Sequence, residues 1–190
     1  MHAELPSTLS PQPSTAAAAL LRAAIRDVPD FPKPGIVFKD ITPILADPEL
    51  FRISIETFAE AASALGASKV VGIDARGFLF GAAVAYRLGL GFVPVRKKGK
   101  LPYRCESAAY QLEYGEAIAE MHTDALRPGE RVVLIDDLLA TGGTAAASIK
   151  LIQKIGAELA GALFLIELSF LNGRANLQGV PVQAFIDFPD

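Results

Sequence analysis

Residues 131–144 read RVVLIDDLLATGGT, and this stretch decides the fold. Its apolar, mostly β-branched start, Val132–Ile135, is typical of a strand buried on both faces. The strand ends in two carboxylates, Asp136 and Asp137, and a turn of small residues then leads into a helical pattern. A strand, an acidic pair, a glycine-rich turn and a helix in this order indicate a binding site within one segment.

The turn is made of Ala140, Thr141, Gly142, Gly143 and Thr144, and its chemistry suits a phosphate. Glycines let the backbone approach a ligand, and a helix N-terminus adds roughly half a positive charge to the amide donors there. Threonine hydroxyls add donors without adding charge. The aspartates before the turn would repel a phosphate, but paired carboxylates suit vicinal sugar hydroxyls or hydrated Mg²⁺. A ribose 5-phosphate would satisfy both halves.

A plain strand-to-helix connection with solvated acids is the simplest alternative. A helix cap needs only one aspartate and no flanking threonines, so the pattern favours a ligand site. The turn has neither the Gly-Lys-Ser/Thr ending of a P-loop nor the Gly-x-Gly-x-x-Gly of a dinucleotide site. NTPase and dehydrogenase interpretations therefore lose their main support.

Two other predicted strands end in positive charge. Lys69–Ile73 leads into DARG (74–77), where Arg76 offers a planar fork for two phosphate oxygens. Phe92–Arg96 leads into a basic run at 97–100. A surface ion pair and a solvated charge run are the alternatives. Because strands alternating with helices predict a parallel sheet with its turns at one edge, both turns are expected to receive pyrophosphate.

Four segments resemble the type I phosphoribosyltransferase family, in its adenine-using branch. They are FPKPGIVFKD (31–40), DARG (74–77), LEYG (112–115) and DLLATGGT (137–144), and the resemblance runs from roughly Leu21 to Asp187. It implies an α/β fold with a central, mostly parallel sheet flanked by helices. It also implies a small N-terminal hood at about 29–45 and a flexible active-site loop, or lid, at about 97–115.

The resemblance also implies the activity. Adenine and 5-phospho-α-D-ribose 1-diphosphate (PRPP) would give AMP and diphosphate, a purine-salvage reaction with Mg²⁺ as cofactor. The metal would be held mainly by PRPP and water, with Asp136 as a contact through water and no certain direct protein ligand. Asp136 and Asp137 would bind the ribose hydroxyls and act in catalysis, and the turn 140–144 would bind the 5′-phosphate.

The match also assigns the leaving group. The pyrophosphate residues would be Asp74, Ala75, Arg76, Arg96, Lys97 and Lys100. In the family, the matching turn often contains a cis non-proline peptide, which would fall around Asp74 and Ala75.

The base would be bound by the hood. There the backbone of Val37 and Lys39, with Phe38 nearby, would bind adenine. Many relatives carry arginine where this chain has Lys39, a change that matters little if the contact is made by the backbone.

The lid would close over the site and exclude water. In it, Tyr110 is the expected covering aromatic residue, and Glu113 maps to a residue implicated in handling a proton of the purine. Ala109 and Gln111 stand where relatives often carry hydroxyl residues, so hydrogen bonds of the closed lid differ here.

Length and composition set the class of protein. The 190 residues suit one domain, 15–190, after a Pro/Ser-rich tail at 1–14, and the net charge of −3 offers no basic surface for nucleic acid. The single cysteine, Cys105, fits a reducing, cytoplasmic compartment. No targeting signal or membrane span is expected. The helix Phe78–Leu88 is apolar nearly all round, which favours cover by a partner in a homodimer.

Two alternatives remain open. A branch acting on guanine, hypoxanthine or orotate is the nearest, although the 31–40 and 112–115 segments argue against it. A non-catalytic PRPP-sensing regulator is the second, although it would need a nucleic-acid surface. Elsewhere, the pattern predicts a helix over Ala16–Arg26, an irregular loop over Pro29–Asp40, an Asp47-capped helix that stops at Gly66, a loop over Leu101–Gly115, and strands over Ala117–Thr123, Leu159–Glu167 and Val180–Ile186.

Overall fold

The computed structural model describes residues 14–111 and 116–190. Its helices are α1 (Thr15–Ala24), α2 (Thr42–Ala46), α3 (Pro48–Ala64), α4 (Arg76–Leu88) and α5 (Gly143–Ile155). Its strands are β1 (Arg26–Pro29), β2 (Val37–Asp40), β3 (Lys69–Ile73), β4 (Gly91–Lys97), β5 (Cys105–Gln111), β6 (Glu116–His122), β7 (Arg131–Leu139), β8 (Glu158–Leu168) and β9 (Val182–Phe188). Two short 3-10 helices, Ser169–Leu171 and Gly173–Leu177, lie between β8 and β9. Among the described helices, none combines the length and apolar character needed to cross a membrane.

The central sheet of the described chain has seven strands in the order β5-β6-β4-β3-β7-β8-β9. Strands β4, β3, β7, β8 and β9 run parallel, whereas β6 pairs antiparallel with β4 and with β5. The mostly parallel α/β sheet predicted from the sequence is confirmed. The carboxyl ends of β3, β4 and β7 therefore lie side by side at one edge.

Side chains of the central strands alternate between two covered faces. Val70 and Val133 pack with α1, α3 and α4 on one face, and Val71 and Leu134 pack with α5 on the other. All four are fully buried. The prediction that the central strands are buried on both faces is confirmed.

Helix α3 begins where the sequence predicted. Asp47 accepts hydrogen bonds from the N–H groups of Glu49 and Leu50, each at 2.9 Å, and Pro48 is the first helical residue. Gly66 follows the helix in the left-handed region, with φ of 67°. The local signals for start and stop were sufficient here.

The N-terminal region differs from the prediction. Helix α1 ends at Ala24, and Arg26 instead begins a strand. The segment Pro29–Asp40 is not wholly irregular, because its last four residues form β2, which pairs antiparallel with β1. Arg26 Nη2 lies 2.6 Å from Asp40 Oδ2 across this hairpin. A contact between distant residues therefore overrides the local helical pattern.

Two strands near the predicted site are longer than expected. The loop predicted over 101–115 is wrong for Cys105–Gln111, which forms β5 by pairing along its whole length with β6. Strand β7 continues through Asp136 and Asp137 to Leu139, because β8 pairs with it as far as Glu167. The two acids therefore lie within a strand rather than after it.

Candidate active site

The turn between β3 and α4 brings three predicted pyrophosphate residues to the sheet edge. The Asp74 N–H donates to the Val95 carbonyl at 2.9 Å, which holds the turn against β4. The peptide bond between Asp74 and Ala75 is cis, as the resemblance implied. Helix α4 starts at Arg76, earlier than predicted, so the guanidinium belongs to its first residue.

Arg76 and Asp137 form the central contact of the site. Arg76 Nε lies 2.7 Å from Asp137 Oδ2, and Asp137 is only 4% exposed. Next to it, Asp136 accepts the N–H of Asp137 through Oδ1 at 2.9 Å. A predicted ribose-binding acid is thus paired with a predicted pyrophosphate-binding arginine.

Burial raises the pKa of both aspartates. At Asp136 desolvation is the largest cause and repulsion by Asp137 adds to it, so the pKa lies well above its usual range. At Asp137 desolvation also raises the pKa, while the charge of Arg76 acts in the opposite direction. The two carboxyls therefore resist ionising together unless a cation lies close to them.

Close packing of α4 against β7 sets this geometry. A Cβ on Gly77 would lie 2.8 Å from Asp136 Oδ1 and 2.8 Å from the Ile135 carbonyl oxygen. Both distances are too short for any side chain. Gly77 is therefore essential to the candidate site, although the sequence pattern indicated only that it belongs to a turn.

The basic run after β4 contributes unequally. Arg96 Nε donates to Asp74 Oδ2 at 2.9 Å, and its Nη1 donates to the backbone carbonyl of Lys100 at 3.2 Å. Lys97 lines the same cavity as Arg96, whereas Lys100 does not. The structure brings Arg96 and Lys97 to the predicted site, whereas Lys100 contacts Arg96 through its backbone carbonyl.

The predicted phosphate turn is supported from behind by the second 3-10 helix. Gly142 is left-handed, with φ of 80°, and a Cβ there would lie 2.5 Å from the Gly173 carbonyl oxygen. The Asn176 side-chain amide donates to the Thr141 carbonyl at 2.8 Å. Gly142 thus serves close packing as well as the turn, and α5 begins directly after it.

One cavity of about 470 Å³ joins these turns. Three apolar residues complete its wall, Ile73, Val95 and Ala119. Nine predicted site residues line it: Asp74, Ala75, Arg76, Arg96, Lys97, Tyr110, Asp136, Asp137 and Thr144. Ala140–Gly143 adjoin it through Thr144, and Glu113 lies outside the described residues.

A second cavity, of about 680 Å³, lies beside the hood. Val37 and Lys39 line it together with Phe170 and Leu171, which no sequence motif indicated. The available signal was a pair of large apolar residues that follows a buried strand after one serine, Ser169. Phe38 lies between its two neighbours on β2 and so points to the opposite face, where its ring centroid is 5.2 Å from Arg76 Cζ.

The fold and the first cavity define a phosphoribosyltransferase, and the family described as "Phosphoribosyl transferase domain" matches residues 42–175. An adenine phosphoribosyltransferase of Streptomyces coelicolor is 56% identical over 90% of this chain and 97% of its own. The crystal structure of adenine phosphoribosyltransferase from Rhodothermus marinus has a TM-score of 0.87 and 52% identity, covering 92% of this chain and all of its own. The Saccharomyces cerevisiae enzyme, complexed with an imino-altritol bisphosphate and adenine, has a TM-score of 0.86 and 40% identity, covering 90% and 99% of the two chains.

The chain belongs to the adenine phosphoribosyltransferase family. The reaction transfers the 5-phosphoribosyl group of PRPP to adenine and gives AMP and diphosphate, as the sequence predicted.

Replacing Gly77 by alanine is expected to lower kcat/KM on the order of 100-fold, because the new methyl group displaces the carboxyl of Asp136. Gly91→Ala is the matched control, since a Cβ there meets only the flexible Lys69 side chain, at 3.4 Å. Steady-state AMP formation by both variants checks this. Equal activity of the two variants would contradict the role given to Gly77.

Asp136→Asn is expected to raise the thermal midpoint while lowering activity. The raised pKa of Asp136 means that this carboxyl favours the folded state in acid and loses that contribution as pH rises. The amide has no such pH dependence and keeps an oxygen for the Asp137 N–H. The increase in thermal midpoint should therefore grow as pH rises from about 4. For a chain of this size, each kcal/mol of unfolding free energy corresponds to roughly 2–4 °C in the midpoint. A pH-independent difference in midpoint would sink this prediction.

Proposed function

We propose that the 470 Å³ cavity binds PRPP and that the hood presents adenine to it. The observation that carries this proposal is the convergence of three separate predicted segments on one cavity. They are the turn after β3, the end of β4 and the region from the end of β7 to the start of α5. Each brings groups suited to one part of PRPP.

The 5′-phosphate binds at the start of α5. Backbone N–H groups at a helix N-terminus are unpaired and carry partial positive charge, and Thr144 adds a hydroxyl on the cavity wall. Gly173 packs closely against Gly142 of the turn, and Asn176 donates to the Thr141 carbonyl. The phosphate is therefore a fixed anchor from which the reacting carbon of the ribose is positioned.

The ribose and the diphosphate then replace two internal ion pairs. Arg76 pairs with Asp137 at 2.7 Å, and Arg96 pairs with Asp74 at 2.9 Å. Diphosphate oxygens are better partners for a guanidinium fork, and ribose hydroxyls can donate to the carboxylates that are released. Each cation and each acid is kept in place by its internal partner until the ligand arrives.

Mg²⁺ is the proposed cofactor. Within the described ranges no cluster of three or more acidic, histidine or cysteine side chains could hold a metal alone. Mg²⁺ prefers one or two carboxylates with substrate oxygens and water, and Asp136 and Asp137 at the cavity suit that arrangement. When bound, the metal would neutralise charge on the departing diphosphate.

In the transfer step, the bond from ribose C1 to the diphosphate oxygen breaks and diphosphate takes the electron pair. Adenine N9 forms the new bond to C1, and the N9 proton of the base passes to the carboxylate of Glu113, the residue proposed for proton handling. Arg76, Arg96 and Lys97 stabilise the departing charge, while the two aspartates place negative charge near the cationic ribose. Water would trap that cation, so the lid has to close first, with Tyr110 on the cavity wall as its covering residue.

Adenine is assigned to the hood through the backbone of Val37 and Lys39, with Phe38 beside it. Phe38 contacts Arg76 on one side and Phe31 on the other, with ring centroids of the two phenylalanines 5.2 Å apart. The contact of Phe38 with Arg76 supports a base position close to the PRPP cavity. Glu113 keeps its proposed role in proton handling, and Lys100 contributes positive charge next to Arg96.

A homodimer is proposed from the surface of α4. Leu79 is 46% exposed and Tyr86 is 90% exposed, and with Ala82 they lie at helical spacing on one face. Large apolar side chains in such a row favour cover by a second copy. Sedimentation of a monomer at micromolar concentration would contradict this.

The cytoplasm is the proposed compartment, because the one cysteine, Cys105, forms no disulfide within the chain.

Asp137→Asn is expected to lower kcat/KM for PRPP by roughly 100-fold or more. The ribose loses its charged partner, and Arg76 loses the carboxylate that orients its guanidinium. Asp124→Asn, at an exposed position outside both cavities, is the matched control. The measurement is steady-state AMP formation with PRPP varied, and circular dichroism checks the fold. Near-normal turnover by a folded Asp137→Asn variant would remove the ribose assignment.

Removing Mg²⁺ with excess EDTA is expected to abolish turnover, and excess Mg²⁺ should restore it. The physical reason is that the protein's own cations cannot neutralise the whole charge of the leaving diphosphate. Calorimetric titration of PRPP with and without the metal gives a second readout. An unchanged rate in EDTA would contradict the proposed cofactor.

A further inference from the structure

The ring of Phe188, in the edge strand β9, contacts two cationic side chains. Arg22 Cζ, from α1, lies 4.3 Å from the ring centroid, and Lys39 Nζ, from β2, also lies 4.3 Å from it. Arg22 in addition donates a hydrogen bond to the carbonyl of Asp187. Phe188 and the Lys39 side chain are each 9% exposed, so their contact is largely withdrawn from water, whereas Arg22 is an exposed residue. The Phe188 side chain of the central sheet thus contacts both α1 and the hood.

The Lys39 side chain is committed to this contact. Its Nζ lies 2.8 Å from Asp27 Oδ1, and the side chain is 9% exposed. Asp27 is the residue opposite Lys39 in the β1–β2 pair, so this ion pair also holds the register of the hairpin. Phe38 leaves β2 on the other face, towards Arg76. The Lys39 ammonium therefore has its partners on the face of β2 away from Phe38.

The hairpin needs such an attachment. A two-stranded sheet is marginal by itself in water, and here it has only four residue pairs. The ion pairs of Arg26 with Asp40 and of Lys39 with Asp27 both lie within the hairpin. They set its internal register but do not locate it relative to the central sheet. The Lys39–Phe188 contact does, because Phe188 belongs to a strand of that sheet.

We propose that Phe188 is a positioning residue for the base subsite. Its ring holds the Lys39 side chain, and through it holds the β2 backbone at the distance from the PRPP cavity that adenine transfer requires. This inference rests on the proposed assignment of adenine to the hood. PRPP is bound by residues of the central sheet and its turns, so the effect should fall on one substrate. Loss of the ring should weaken adenine binding and leave PRPP binding intact.

The test compares Phe188→Leu, which keeps apolar volume but loses the ring, with Phe188→Tyr, which keeps the ring. For Phe188→Leu we expect KM for adenine to rise roughly tenfold, as loss of a partly buried cation–π contact implies. KM for PRPP should change by less than about twofold. Phe188→Tyr should retain the low KM for adenine. Steady-state AMP formation with each substrate varied in turn gives both constants.

Phe185→Leu is the matched control on the same strand. Phe185 is 6% exposed and packs against Phe58 in the core, with ring centroids 4.8 Å apart, rather than against the hood. It should lower the thermal midpoint without a selective change in KM for adenine. If Phe188→Leu does not fold, Lys39→Met removes the cation while keeping the aliphatic chain, and it should give the same selective rise.

The outcomes are distinct. A selective rise in KM for adenine, absent from Phe185→Leu and reversed by the tyrosine, supports the proposal. An equal change in both KM values, or an unchanged KM for adenine, overturns it. The Phe38→Ala variant distinguishes failure of the positioning role of Phe188 from failure of the hood assignment. If that variant raises KM for adenine and Phe188→Leu does not, the hood assignment stands and only the positioning role fails. If neither does, the hood assignment itself is wrong.

Discussion

The ion pair between Arg76 and Asp137 is the contact on which the site depends. Asp137 is almost fully buried, and a buried carboxylate without a partner is strongly unfavourable. The partner, Arg76, is the first residue of α4, which follows the neighbouring strand β3. Burial of the acid therefore requires α4 to begin in close contact with β7. Gly77 allows this because it has no side chain. The ion pair of the site therefore depends on the close packing of α4 against the central sheet.

That arrangement carries an energetic cost, and the cost falls at the candidate site. Asp136 sits beside a second acid and is desolvated, which raises its pKa and opposes its ionisation. A scaffold built only for stability would avoid such a pair. In the proposed site the acids and arginines are already oriented, and a ligand carrying hydroxyls and phosphates would supply partners for all of them. Little reorganisation is then left for the transfer step itself.

The hood depends on the central sheet in a different way. Its two strands are too few to be stable alone, and their contacts with the rest of the molecule lie on opposite faces of β2. Phe38 contacts Arg76 on the side of the first cavity, and Lys39 contacts Phe188 on the other. The backbone of β2 is thereby held between the start of α4 and the end of β9.

Much of the site was determined by the sequence alone, because its chemistry is local. The acids, the glycine turn and the start of α5 follow one another directly, and the Asp47 cap and the buried strands are equally short-range signals. Tertiary structure decided the rest. The pairing of Asp137 with Arg76, the support of Gly142 by Gly173, and the place of Phe170 and Leu171 beside the hood all join residues far apart in sequence. A local pattern carries no record of such contacts, because their energy exists only once distant segments have packed together.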